Sequence, residues 1–64
     1  MNIELDNRLF CLQNTVALTP ELKHQLWIAD KAYLNDHDSD AQVIVSSIEK
    51  ACKEQNIDIF SCSM

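Results

Sequence analysis

A chain of 64 residues makes one domain at most, and so short a chain covers a modest share of its own surface and is marginally stable alone. Ten acidic residues face five basic ones, for a net charge of −5, and the cations Arg8, Lys23, Lys31, Lys50 and Lys53 are scattered. That pattern argues against a nucleic-acid or anionic-membrane partner, whose phosphates need clustered Lys and Arg. The 47% of hydrophobic residues is too high for a disordered chain.

The first element is ambiguous. Leu5, Leu9, Leu12 and Val16 follow a 4-3-4 spacing that suits one helical face, with Asp6 as a cap and a helix over residues 6–17. The alternation Ile3-Glu4-Leu5 and the run Arg8–Leu12 also fit a short strand. Ile57-Asp58-Ile59 alternates in the same way, so terminal strands pairing with each other in a small α+β fold are the alternative.

The clearest helix starts at Thr19-Pro20. A Thr hydroxyl caps well, and Pro at the first helical position loses an N–H that has no partner there anyway. Glu21 places a carboxylate in the first turn, where the helix dipole favours it. The helix is predicted over about residues 20–34, ending at Asn35, which takes the left-handed position glycine usually fills. The chain has no glycine at all, which removes every Gly-rich phosphate loop and argues against a hairpin-rich sheet.

After the polar break Asn35–Asp38, Ser39-Asp40-Ala41-Gln42 fits a capping box that opens a helix over about residues 40–55. Glu49 and Lys53 stand at the favourable four-residue spacing, and Asn56 is a stop. The fold class expected is mostly α: an antiparallel helical hairpin with an N-terminal helix or short strand packed on it.

Helical projection distinguishes the two long helices. In the later one, Ala41, Ile44, Val45, Ile48, Ala51 and Cys52 form one apolar stripe opposite Ser46, Ser47, Lys50 and Glu54, with Val43 alone among polar neighbours. In the Pro20 helix, Leu22, Leu26, Ala29 and Tyr33 form one stripe, and Ile28 and Ala32 widen it. Trp27 and Leu34 point in a third direction, flanked by Lys23, Asp30 and Lys31. One neighbouring helix cannot cover all of this. Either the N-terminal segment folds over Trp27 and Leu34, or they form a partner-binding patch.

Chemistry-bearing residues give no site. Cys11, His24, His37, Cys52 and Cys62 lack zinc-type spacing. The acidic run from Asp36 begins like a calcium loop but puts Ala41 and Ser47 where that loop needs Gly and Glu. No spacing supports a Cys–His nucleophile, and a chain this short has little room for a catalytic pocket. His24 and His37 read as solvated, and the cysteines as small apolar fillers. The expectation is no enzyme, no metal and no cofactor. With an odd cysteine count and no leader-like N-terminus, the expected compartment is the cytoplasm.

The reading that remains is a small acidic protein-interaction module, with a homo- or hetero-oligomer expected. Trp27, Leu34 and Tyr33 are its apolar anchors. Asp30, Asp36, Asp38 and Asp40 supply charge toward a protein partner with a basic surface. Its rivals are a structural subunit of a homo-oligomer and, less favoured, a small enzyme or metal protein. In size and charge alone the chain resembles the short acidic helical hairpins among secretion chaperones, antitoxins, phage-encoded inhibitors and regulatory adaptors.

Overall fold

A computed structural model describes residues 2–60 and consists of three helices: α1 (Ile3–Gln13), α2 (Pro20–Leu34) and α3 (Asp38–Glu54). The expected helical hairpin is α2 and α3, joined through residues 35–37, and the N-terminal element is a helix lying against both. The terminal strands do not form. Residues 57–60 run as irregular chain back toward the end of α1, where the Phe60 N–H donates to the Thr15 hydroxyl at 3.1 Å. That hydroxyl in turn donates to the Cys11 carbonyl at 2.8 Å, which satisfies the buried Thr15 side chain in both directions. The Phe10 and Phe60 rings meet edge to face, 6.4 Å apart.

The caps explain where the helices begin. Thr19 caps α2 as expected, its hydroxyl accepting from the Leu22 N–H at 3.3 Å with Pro20 next in line. At α1 the cap is Asn2, not Asp6: its side-chain oxygen accepts from the Leu5 N–H at 3.0 Å. Asp6 lies inside the helix as a first-turn carboxylate, a position the dipole favours equally. Because α1 starts and stops early, Val16 falls outside it, 95% exposed, while Leu5, Leu9 and Leu12 are buried as the spacing predicts. At α3 the Ser39 capping box is not used. The helix begins at Asp38, and His37 occupies the cap position without a side-chain hydrogen bond. The chain leaves α2 too tightly to spare two more residues before turning into α3.

That tight exit has a specific form. The His37 N–H donates to the Ala32 carbonyl at 2.8 Å and the Asp36 N–H to the Tyr33 carbonyl at 3.2 Å, the two bonds of a Schellman motif. The left-handed residue is Asp36, with φ 62°, one later than Asn35. Asn35 instead caps with its side-chain amide, which donates to the Lys31 carbonyl at 2.8 Å. The end of α3 repeats the device: Ile57 N–H donates to the Cys52 carbonyl at 2.8 Å, and Asn56 holds φ 57°. Without glycine, the chain uses the two residue types that best tolerate this region. Asn56→Gly is therefore expected to stabilise the fold by about 0.5 kcal/mol, read as a higher urea midpoint. A lower midpoint would show that the Asn56 side chain contributes more than its backbone strain costs.

The core is a single cluster. Leu5, Leu9 and Leu12 from α1 meet Leu22, Leu26 and Ala29 from α2 and Ala41, Val45, Ile48 and Cys52 from α3, with Leu18 of the first connector closing one end. Ile57 and Ile59 pack against it from the C-terminal segment. Cys52 is fully buried and acts as the expected apolar filler; burial pushes its thiol up from the ordinary range, with the Glu49 carboxylate adding to the effect. Cys62 lies outside the described residues.

Polar contacts pin α1 to the hairpin. The Arg8 guanidinium grips Glu49 with both ends of its fork, Nε to Oε2 at 3.0 Å and a terminal nitrogen to Oε1 at 2.7 Å, and also donates to the Ser46 hydroxyl at 3.0 Å. Glu49 thus pairs with Arg8 across helices, not with Lys53 along its own. A two-pronged charge-assisted contact is worth more than an exposed i,i+4 pair. The hydrogen bond it donates to Glu49 holds the Arg8 guanidinium above its ordinary pKa, so it is charged whenever the protein is folded. Arg8→Ala is expected to cost about 1 kcal/mol in urea unfolding, and Arg8→Lys to recover little of it, since an ammonium cannot make the fork. Full rescue by lysine would reduce the contact to a point charge.

Candidate functional site

The second side of α2 carries what the core does not. Trp27 is 57% exposed and Leu34 72% exposed. Two turns apart on one line of the helix, they point away from Leu22, Leu26 and Ala29. The N-terminal helix does not fold over them. It lies on the Tyr33 side instead, where the Tyr33 hydroxyl donates to the Asn2 carbonyl at 3.3 Å and the Gln13 amide reaches Asp30 at 3.3 Å. The reason is packing: Leu5, Leu9 and Leu12 find a matching apolar stripe on Leu22, Leu26 and Ala29, and α1 cannot face two directions of α2 at once.

Around Trp27 the charge is positive. Lys31 Nζ stands over the indole, 5.1 Å from the ring centroid, a cation–π contact. His24 stacks on the indole at 6.2 Å between centroids and an interplanar angle of 21°. By projection Lys23 belongs to the same face. These contacts hold the indole in place without covering it.

Around Leu34 the charge is negative. A shallow hollow of about 200 Å³ is lined by Tyr33, Leu34, Asp36 and Asp38. Asp40 stands in the acidic first turn of α3, 3.7 Å from the His37 ring nitrogen. Of the residues expected at the site, Trp27 and Leu34 share one exposed line, and Asp36 and Asp38 gather at its Leu34 end. Tyr33 is half-buried and packs on the core, so its ring belongs to the α1 interface and only its edge borders the hollow. Asp30 is tethered by Gln13 at the flank.

A second feature was not anticipated. Between α2 and α3 lies a groove of about 250 Å³, its walls almost wholly apolar, formed by Gln25, Ile28, Val43, Ile44 and Ser47. Val43, isolated among polar residues in projection, is 70% exposed at its edge. The sequence signal was there: Ile28 and Val43 each lie off the main apolar stripe of their helix, and only the antiparallel pairing makes them neighbours.

Among the described residues no three His, Cys, Asp or Glu side chains converge as a metal set, and no helix is long and apolar enough to cross a membrane. Comparison with protein-family models, with curated proteins and with solved structures finds no match to this chain.

Proposed function

We propose that this protein is a small interaction module that binds another protein through the Trp27–Leu34 face of α2. The observation that carries the reading is the exposure of Trp27, 57%, on a helix whose other side already completes the core. A tryptophan adds nothing to a water-facing position that a lysine would not, yet at an interface it is the residue type that most often dominates binding energy. Burying its remaining surface is worth on the order of 2–3 kcal/mol. The acids at the Leu34 end add steering toward a partner with a basic surface, and the adjoining cations meet acids on that partner. Mechanistically such a module occludes or stabilises a partner surface, as an adaptor, inhibitor, antitoxin-like or chaperone-like protein does. No catalytic step is assigned: the apolar groove between α2 and α3 is open, and its one hydroxyl, Ser47, has no general base among the lining residues.

The test compares affinity capture from the native cell by the wild-type chain and by a Trp27→Ala, Leu34→Ala variant. A protein bound by the wild type and lost by the variant is the expected result. Recovery of the same proteins by both would overturn the assignment of this face.

A further inference from the structure

The C-terminal segment returns to the helix that carries the first cysteine. The Phe60 N–H donates to the Thr15 hydroxyl at 3.1 Å, and the same hydroxyl donates to the Cys11 carbonyl at 2.8 Å. The Phe60 nitrogen therefore stands no further than two hydrogen bonds, through one oxygen, from the Cys11 backbone. Beside that relay the Phe60 ring meets the ring of Phe10, the residue before Cys11. Two contacts of different kinds thus hold the same end of the chain against the same turn of α1. Cys62 is two residues further along the sequence, outside the described residues. From this juxtaposition we propose that Cys11 and Cys62 form a reversible disulfide, a redox latch that fastens the segment 57–60 to the end of α1.

Reach and access both select this pair. Two residues span at most about 7 Å, and a disulfide needs Cα atoms about 4.4–6.8 Å apart, so a chain held at Phe60 is long enough to bring Cys62 to Cys11. Cys11 is only half-buried, which leaves its sulfur open to a reagent. Cys52 is no rival, because it is sealed in the core, where burial and the Glu49 carboxylate both oppose its thiolate. The exchange consumes a small disulfide of the glutathione type. One cysteine thiolate attacks it and releases one small thiol; the other cysteine then attacks the mixed disulfide, forms the Sγ–Sγ bond and releases the second. Two cysteine thiols are oxidised, the small disulfide is reduced to two thiols, and the two cysteine protons end on them. In a reducing compartment the reverse exchange breaks the bond again, which makes it a switch rather than a staple. What it switches is the hold on residues 57–60. Among the described residues that segment is kept in place by the Thr15 bond, the ring contact, and Ile57 and Ile59 packed on the core. Ile57 and Ile59 line one hollow together with Cys52. Release of the segment bares the Cys52 thiol, and fastening it keeps that thiol shut in.

The three cysteines fall on separate tryptic peptides, residues 9–23, 51–53 and 54–64, so a peptide map identifies the bond. The test exposes the reduced full chain, dilute, to glutathione disulfide in native buffer and in denaturing urea, quenches with acid and maps without reduction. Peptide 9–23 joined to 54–64 within one molecule is the expected product. Its yield relative to glutathione-capped Cys11 is expected to be about tenfold higher in native buffer than in urea, because the fold concentrates one sulfur at the other. A bond through peptide 51–53, capping of Cys11 and Cys62 without a bond, or a yield no higher than in urea would overturn the pairing. The second readout is alkylation of Cys52 by iodoacetamide in the native chain. It is expected to run about tenfold slower once the bond is formed, and to recover on reduction with dithiothreitol, since local opening of the segment then governs access. A rate that the bond leaves unchanged would show that it fastens nothing, and the latch would be refuted.

Discussion

Leu5→Ala is expected to lower the free energy of unfolding by about 3 kcal/mol, the usual cost of emptying a fully buried leucine site. For a domain of this size the whole stability is roughly 3–10 kcal/mol, so the variant stands close to unfolding. The size of the effect comes from the place of Leu5. It is 0% exposed and belongs to α1, the helix that lies on both members of the hairpin. Losing its side chain opens a void at a three-way junction, where no single helix can move inward without leaving another. Urea unfolding followed by circular dichroism measures it. A loss below about 1 kcal/mol would mean that α1 is not part of the cooperative core, and that the hairpin folds without it.

Trp27→Ala is expected to do the opposite. Stability should change by less than about 1 kcal/mol, since the indole contributes one exposed cation–π contact and a partly covered edge. Binding through the α2 face should weaken by about 2 kcal/mol or more, close to thirtyfold, as for a central tryptophan in other interfaces. The pair of measurements is what matters. A residue that held the fold together would lower the urea midpoint, and a residue idle in both roles would leave midpoint and affinity unchanged. Loss of affinity with an unchanged midpoint is the signature of a side chain kept for contact with another molecule.

The same two positions show how far local sequence reaches. Leu5 was legible as core from its spacing with Leu9 and Leu12, and Trp27 as surplus from its direction on the α2 helix. Neither reading needed coordinates, because helical periodicity alone assigns a face. The caps were less legible. Asp6 and Ser39 satisfy the chemical rule for a cap as well as Asn2 does, and at α3 the position fell to His37, whose side chain makes no capping bond. Which residue serves depends on where the chain must turn, and the Schellman bonds of Asp36 and His37 settle that from outside the helix they precede.

Electrostatic partners were the least legible. Glu49 has Lys53 four residues away and Arg8 forty-one residues away, and it pairs with the distant one. The distant partner wins because packing of Leu5, Leu9 and Leu12 holds Arg8 against α3, so its fork meets the carboxylate at little further entropic cost. Likewise the acidic hollow beside Leu34 draws on Asp36 in the turn and Asp38 at the start of α3, and it shows only once that turn is placed.

By itself the sequence determined the helical class, the hairpin, the faces of each helix and the surplus apolar line on α2, since all of these repeat with the helix period or sit at its ends. The tertiary structure alone decided on which side of α2 the N-terminal helix lies, and so that Trp27 and Leu34 stay uncovered. It also decided that Ile28 and Val43 border one groove. The physical reason is that periodicity orients a side chain relative to its own helix axis, whereas its neighbours are chosen by competition among whole faces for a single core.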